Sequence, residues 1–525
     1  MVKARGPAYP PGMGRGCLRL AIAAGALAAA AGSAAAPPAD RPDIVWIIAD
    51  DHAAYVTGAY GERRVRTPNI DRLAAEGVRF DRAYCNSPVC TASRQSFLTG
   101  RYPRTIGVTQ LRTPLPAAEL TLAEILSAAG YATAAIGKMH FNSGLRHGFD
   151  VIFDAGDYAS PDWEGLLAAM PGGTRALARF RPFLDPARVW LNADHLPFPA
   201  PEARMIGTRL AAEAERFLKG VGERPFFMIV SFHEPHSPFH FPLEDRERPD
   251  PARFVAPAVG PEDAWQIPAI FEDLTEAEKR GIIAAYYTSV EFMDRNVGRV
   301  LAALERSGRA ERTLVVYFGD HGYMLGQHGR FEKHCSYEPA VRAPLVLRWP
   351  GRLRAGAATE ALVEFVDLMP TMLDYVGLPT PPTTQGRSLV PVLEGRTDRH
   401  RDAVIVEYAP NEEIMIRTER WKLVYIAGRT TRADGYPPAV TPTGRKVLLF
   451  DMEADPDEWV NLARRPEHKA LVEDLLARLA GHLLRTERTP ERLPPGAAAP
   501  ELPAGSVFDL LDALVPPNDI RPEGG

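Results

Sequence analysis

Short apolar runs, five to seven residues long, alternate along most of this chain with segments of helical periodicity, and each run ends in a polar cluster. Ile44–Ile48, Tyr131–Ile136, Phe226–Phe232 and Leu314–Phe318 are the clearest. Runs this short and rich in β-branched and aromatic residues read as strands buried on both faces. Their alternation with helices predicts an α/β fold around a large, mostly parallel sheet. Between them, Thr67-Pro68 to Gly77 predicts a helix with Thr67 as N-cap and Gly77 as terminator, and Leu122–Ala129 a second, closed by Gly130. A long helix spans Leu274 to Ser307, with Thr275 and Glu278 at capping-box spacing and Gly308 beyond it.

In open α/β sheets ligands gather at the carboxyl ends of the strands. Four of the polar clusters follow directly on a strand: Asp50-Asp51-His52, Gly137-Lys138-Met139-His140, His233-Glu234-Pro235-His236 and Gly319-Asp320-His321-Gly322. A fifth, Cys90-Thr91-Ala92-Ser93-Arg94, opens a helix that runs through Gln95 to Leu98 into Thr99-Gly100-Arg101, which sets Cys90 where backbone N–H groups favour anions. Any one of these has an ordinary explanation, such as capping, a solvated charge or a small buried thiol. Five on one sheet edge call for chemistry. Asp50 and Asp51 with Asp320 offer hard oxygen ligands suited to Ca²⁺ or Mg²⁺, whereas His321 suits Mn²⁺ or Zn²⁺ better. Lys138 and Lys333 can each present a point charge to a tetrahedral oxyanion, and His140 and His236 can carry protons. Pro235 and Pro238 stiffen the segment that holds His236.

Past residue 395 the pattern changes. Val404–Val406, Ile414–Ile416, Lys422–Tyr425 and Val447–Phe450 read as short antiparallel strands, followed by an amphipathic helix from Pro466 to Leu484. The expected organisation is an export signal over 1–36, a catalytic α/β domain over 37–395, an α+β subdomain over 396–490 and a Pro/Ala-rich tail over 491–525, with Val507–Val515 as a docking turn of helix. The N-terminal reading rests on Lys3, Arg5, Arg15 and Arg19 ahead of the apolar Leu20–Ala31, then small residues up to Pro37. That apolar run is shorter than the roughly 18 residues of a membrane span, so the expectation is an exported protein, periplasmic or secreted. A net charge of −5 gives no electrostatic case for nucleic acid. Beyond the signal lie only Cys85, Cys90 and Cys335, too few for a disulfide framework; Cys85 and Cys335 are left as free thiols or one bridge.

These motifs resemble the type I sulfatases of the alkaline phosphatase superfamily, from about Pro42 to Leu484. The Asp-Asp pair matches Asp50 and Asp51. The Cys-x-Ala/Pro-Ser-Arg signature matches Cys90 and Arg94, and Gly-Lys-x-His matches Lys138 and His140. Pro-His-x-Pro matches His236, Gly-Asp-His-Gly matches Asp320 and His321, and Lys-His-x-x-Tyr-Glu matches Lys333 to Glu338. Trp421-Lys422-Leu423 and Leu449–Leu462 carry the C-terminal signatures. Members similar to iduronate sulfatases, with His after the second metal Asp, look nearest.

The resemblance implies a sulfuric ester hydrolase. Its nucleophile is Cα-formylglycine (3-oxoalanine), made from Cys90 by a formylglycine-generating enzyme on the unfolded chain. Its metal, Ca²⁺ with Mg²⁺ or Mn²⁺ as alternatives, lies among Asp50, Asp51, residue 90, Asp320 and His321. It also implies that Arg94 orients the hydrated aldehyde, that one hydroxyl attacks sulfur with assistance from Asp320, and that His236 and Lys333 serve the leaving oxygen. His140 then deprotonates the second hydroxyl to expel sulfate. The expected substrate is a sulfated carbohydrate. Two rivals remain: a phosphonate or phosphate ester hydrolase of the same superfamily, which Asp51 disfavours, and a non-catalytic binder of sulfated glycans. Arg175, Arg179, Arg181 and Arg188 are candidates for a substrate carboxylate or second sulfate, more simply read as solvated helix charges.

Overall fold

The computed structural model describes residues 41–154, 183, 185–245, 249–429, 432, 434–440, 444–488 and 507–515. The expected export signal and Arg175, Arg179 and Arg181 lie outside these residues, as does most of the tail. Arg188 is exposed and faces Glu278 at 3.9 Å, an ordinary solvated pair.

The main sheet has eight strands. In chain order β1 is Asp43–Asp50, β2 Val78–Phe80, β4 Ala132–Gly137, β5 Val151–Phe153, β6 Phe226–Pro235, β7 Thr313–Gly319, β8 Leu345–Arg348 and β9 Ala357–Thr359, while β3 (Ala83–Tyr84) and β10 (Val363–Glu364) pair separately. The spatial order is β5-β4-β6-β1-β7-β8-β2-β9, parallel except that β8 runs against β7 and β2. The apolar runs follow from this position. Along β1, Val45, Ile47 and Ala49 feed one core layer and Ile44, Trp46 and Ile48 the other, so no position between the two terminal aspartates is free to be polar. Trp46 is fully buried and meets Phe97, Phe227 and Phe318 edge-on at 5.8, 5.3 and 5.6 Å, a geometry favoured by the ring quadrupoles.

Among the helices of the described residues that pack around the sheet are α1 (Pro68–Glu76), α2 (Cys90–Thr99), α3 (Leu122–Ala128), α4 (Ile206–Gly220) and the 31-residue α5 (Glu276–Arg306). The capping box of α5 forms as its spacing predicts, with Glu278 N donating to Thr275 Oγ1 at 3.3 Å and Thr275 N to Glu278 Oε2 at 2.8 Å. One local expectation differs, and another, Gly77 as terminator of α1, holds for a further reason. Thr67 precedes α1 without capping it, because its hydroxyl donates to Asp71 and accepts from Gly58 N instead. Gly77 is extended rather than left-handed. It is glycine because a Cβ there would lie 2.2 Å from the Leu347 carbonyl oxygen of β8.

Beyond the main sheet, β11 (Val404–Tyr408), β12 (Glu413–Arg417), β13 (Trp421–Ile426) and β14 (Lys446–Asp451) form an antiparallel sheet in that order. The α6 helix (Lys469–Thr486) covers it, and Leu475, Leu476, Leu479 and Leu483 are buried there. Within the expected tail, α7 (Val507–Leu514) buries Leu510, Leu511 and Leu514 in the same cluster, and Arg445 and Tyr425 both reach its Asp512. No helix among the described residues is long and apolar enough to cross a membrane. Cys85 and Cys335 are free and buried, which closes the question of a bridge.

Candidate active site

The carboxyl ends of β1, β4, β6 and β7 converge with the first turn of α2, and the five clusters meet there. The parallel register causes this, with Ala49 of β1 opposite Gly319 of β7 and Phe232 of β6. Asp51 leaves β1 with φ +66°, and His140 leaves the β4 turn with φ +56°. Left-handed backbone at non-glycine residues is strained, and persists only where the surroundings fix it. At Asp51 they do. Its N–H donates to Asp320 Oδ1 at 3.1 Å, and its carbonyl accepts from the buried Tyr286 hydroxyl of α5 at 2.5 Å.

Cys90 begins α2 and is 1% exposed. Its Sγ lies 3.0 Å from Lys333 Nζ, 3.3 Å from His321 Nε2 and 3.9 Å from Lys138 Nζ. Burial, then the nearby Asp50 carboxylate, pushes the thiol up to about 12 despite both lysines. At neutral pH it is therefore a protonated thiol and a poor nucleophile.

Each cation has a carboxylate. Lys333 donates to Asp51 Oδ1 at 2.5 Å, Lys138 donates to Asp50 Oδ2, and Arg94 Nε donates to Asp320 Oδ2 at 2.9 Å. Arg94 also donates to the Lys138 carbonyl at 2.6 Å and to Ser231 Oγ at 2.7 Å, which ties α2 to β4 and β6. Its Nη2 is 3.6 Å from Asp50. Ser93 Oγ donates to the Asp320 carbonyl at 2.5 Å. Burial would raise Asp50, but Lys138, with His236, Arg94 and Lys333, holds it well below the usual carboxylate range. Asp320 goes the other way, to about 7, driven by burial and by Asp50 at its side.

Three histidines stand around this centre with a tautomer set by a carbonyl, or with a field that keeps them neutral. His321 Nδ1 donates to the Gly322 carbonyl at 2.9 Å, which leaves the Nε2 lone pair facing Cys90, Asp51 and Asp320; burial and Lys333 lower its pKa to about 3. His236 Nδ1 donates to the Ser237 carbonyl at 2.8 Å, and Nε2 points to Asp51 Oδ2 at 3.9 Å. Burial, then Lys333 and Lys138, pushes His236 well down. His140 sits with Nδ1 3.4 Å from Thr91 Oγ1, its carbonyl held by Gln95 Nε2 at 2.9 Å, and burial followed by Lys138 pushes it down as well.

Asp50, Asp51, Cys90, Arg94, Lys138, His140, His236, Asp320, His321 and Lys333 are thus in one place, whereas His52 turns away to Tyr317 and Val56. Asp50, Cys90, Asp320 and His321 offer ligand atoms within 4.8 Å of one another, and so do Asp50, Asp51, Cys90 and His236. Asp50 Oδ1 and Asp51 Oδ2 are buried without a hydrogen bond. Burying a carboxylate oxygen with no partner is costly, so two such atoms in one cluster fit a cation-binding centre. Sequence reasoning missed three supports: Ser231, Gln95 and Tyr286. The first two carried a signal, since Ser231 has the strand parity of a site-facing residue and Gln95 lies one turn past Thr91. Tyr286 carried none.

The comparisons agree with this geometry. The sulfatase family model matches residues 42–378, and the model for the C-terminal part of N-sulphoglucosamine sulphohydrolase matches residues 326–484. The chain is 30% identical to the steryl-sulfatase of Mus musculus, over 91% of this chain and 88% of that one. It is 30% identical to the iduronate 2-sulfatase of the same species, over 65% and 70%. Among solved structures, the phosphonate monoester hydrolase of Agrobacterium radiobacter superposes with a TM-score of 0.72 at 25% identity, covering 85% of this chain and 96% of that one. The chain belongs to the sulfatase family and is a sulfuric ester hydrolase.

Proposed function

We propose that this sulfatase is exported, depends on formylglycine at position 90, and removes sulfate from a sulfated carbohydrate. The observation that carries the reading is Cys90 itself. Its thiol is buried and protonated, yet it sits within hydrogen-bonding reach of Lys333 and His321 and beside Lys138, a setting built for an oxygen nucleophile and its oxyanion. Oxidised to formylglycine and hydrated, residue 90 supplies one hydroxyl to attack sulfur and a second to expel sulfate. Since Cys90 is buried in the fold, the converting enzyme must reach it before folding, which agrees with modification ahead of or during export.

Asp50, Asp51, Asp320 and His321 would hold the metal, Ca²⁺ in our reading, with residue 90 beside them. Bound there, the ion supplies Lewis acidity to the attacking oxygen. Lys138 faces the sulfuryl oxygens and Lys333 the leaving oxygen, and each holds its partner by charge. His236 donates its proton to the leaving oxygen; an anionic sulfate between the two lysines offsets the charges that keep its ring neutral. His140, with Nδ1 3.4 Å from Thr91 Oγ1, accepts the proton released when sulfate departs. Arg94 acts through its bonds to Asp320, Lys138 and Ser231, as a strut that positions residue 90 and its surroundings.

Carbohydrate is favoured as substrate by the likeness to iduronate 2-sulfatase and to the N-sulphoglucosamine sulphohydrolase C-terminal model, ahead of a sterol sulfate. We place the division between catalytic domain and C-terminal subdomain near residue 395. The likeness to a phosphonate monoester hydrolase keeps that activity as the second reading. The test is paired. Mass spectrometry of the peptide spanning Cys90, from protein made with a converting enzyme, should show the aldehyde. That protein should release sulfate from sulfated mono- and oligosaccharides faster than it cleaves aryl phosphonates. Aldehyde without sulfate release from any glycan would overturn the substrate reading; unconverted but active protein would overturn the nucleophile.

A further inference from the structure

The proposed roles leave His233 unused, and the fold places it with care. Along β1 and β6 the register runs evenly until Ala49, which pairs with Phe232; Asp50 then pairs with Pro235. His233 and Glu234 are therefore extra residues on β6, with no counterpart on β1. Bulges of this kind bend a strand and re-aim its side chains, and they concentrate beside active sites.

Strand alternation says where each one goes. Ser231 faces the site, where it accepts from Arg94, and Phe232 faces the opposite core layer. Glu234 follows Phe232 to that far side, against Gly207 of α4, where a Cβ would lie 3.0 Å from its Oε2. His233 follows Ser231 toward the site. Its ring stands edge-on to that of His236, with centroids 6.4 Å apart and an interplanar angle of 84°. After burial, the charges that act on it most are those of Lys138 and Asp50, as expected of a ring beside His236 at the edge of the centre. Cys90, Asp50, Asp51, Asp320 and His321 are all buried, whereas His140, His233 and His236 are each partly exposed. The open side of the centre is thus rimmed by imidazoles, and the leaving group must lie against them.

We propose that His233 is a specificity-determining residue that hydrogen-bonds a hydroxyl of the leaving group on the atom next to the ester carbon. A neutral imidazole both donates and accepts, so it matches a hydroxyl, which does the same. This proposal rests on the sulfatase reading of the site and deepens it: the substrate carries a hydroxyl vicinal to its sulfate, as sugars do.

The experiment uses two aryl sulfates that differ by that hydroxyl alone, 2-hydroxy-4-nitrophenyl sulfate and 4-nitrophenyl sulfate, with the full-length converted enzyme. Wild type should prefer the catechol in kcat/KM. In His233→Ala that preference should fall by about 3- to 10-fold, the worth of one neutral hydrogen bond, chiefly through KM. His233→Gln, whose amide also donates and accepts, should keep part of it. Thermal melting of both variants checks the fold. A wild type indifferent to the hydroxyl overturns the proposal. So does an Ala variant that keeps the full preference, or one that loses equally on both esters. If converted wild type cleaves neither ester nor any sugar sulfate, the sulfatase reading fails and takes this one with it, an outcome visible before any variant is made.

Discussion

Replacing Lys333 by Met tests which oxygen that lysine serves. Its Nζ lies 3.0 Å from Cys90 Sγ and 2.5 Å from Asp51 Oδ1, on the same side as His236. At about 3 Å and an effective dielectric of about 20, one full charge is worth about 5 kcal/mol. A leaving oxygen that has gained about half a charge in the transition state would then lose about 2–3 kcal/mol, or roughly 30- to 150-fold in rate. The loss should depend on the leaving group. A sugar alkoxide tolerates charge poorly and needs the lysine, while 4-nitrophenolate carries its own charge. We expect kcat/KM of Lys333→Met to fall at least about tenfold further on a sugar 2-sulfate than on 4-nitrophenyl sulfate, read by sulfate release under initial-rate conditions. Because Asp51 is left without its cation, the variant should also lose roughly 3–5 kcal/mol of stability. Lys333→Arg restores the charge and separates the two effects. Equal losses on both esters would refute the leaving-group role and assign Lys333 to the nucleophile it touches.

Cys90→Ser should abolish multiple turnover and accumulate protein carrying one sulfuryl group, visible by intact mass, because a serine oxygen can attack but has no second hydroxyl to expel sulfate. Chelation should remove activity reversibly and lower Tm; re-addition of Ca²⁺, Mg²⁺ and Mn²⁺ in turn ranks the metals, with stabilisation of about 2.7 kcal/mol for an ion at about 100 times its Kd. Asp367→Asn should cost about 3–5 kcal/mol by denaturant unfolding: Asp367 is fully buried, accepts from Arg401, from His400 Nε2 at 2.9 Å and from Arg387 N at 2.7 Å, and so holds the C-terminal region to the main domain. Burial opposes ionisation there, but Arg401 and His400 prevail and its carboxyl lies well below the usual range. A depressed folded pKa gives stability that is complete above the unfolded value of about 3.9 and is lost as pH falls below it. Unfolding of wild type and Asp367→Asn should therefore converge in acid; a gap undiminished at low pH would contradict the ionic account.

What the sequence made legible was whatever repeats along it. Parallel strands must be apolar on both faces and must stop where ligands begin, so Asp50, Lys138, His236 and Asp320 were marked by the apolar runs before them. Supports that act across long separations leave no such mark. Tyr286 lies in the middle of a 31-residue helix whose pattern announces only burial, yet its hydroxyl reaches the carbonyl of Asp51, 235 positions away. The β6 bulge escaped because His-Glu-Pro reads as the end of a strand, whereas the strand continues through Pro235. Gly77 does end its helix, but the close approach of a neighbouring backbone that requires glycine there is invisible in one dimension. The α7 helix was legible as an apolar island at Val507–Val515 despite the proline and alanine around it, because Leu510, Leu511 and Leu514 carry helical spacing.

The charges at the centre also explain why the histidine at position 321 matters. Asp50, Asp51 and Asp320 face Lys138, Lys333 and Arg94, three charges of each sign once Asp320, raised to about 7, is ionised, with His321 neutral. Such a centre is balanced by itself, and a dication entering alone would leave it with two uncompensated positive charges in a buried site, which is unfavourable. A sulfate dianion restores the balance. Metal and sulfate should therefore bind cooperatively, each raising the affinity of the other by the same factor. A fourth carboxylate in place of His321 would tighten the metal and weaken the anion. His321→Asp should accordingly raise Ca²⁺ affinity by calorimetry while lowering the affinity for inorganic sulfate measured in the presence of Ca²⁺. If sulfate bound equally well with and without metal in the wild type, the charges would not be coupled, and the neutrality of residue 321 would have no electrostatic role.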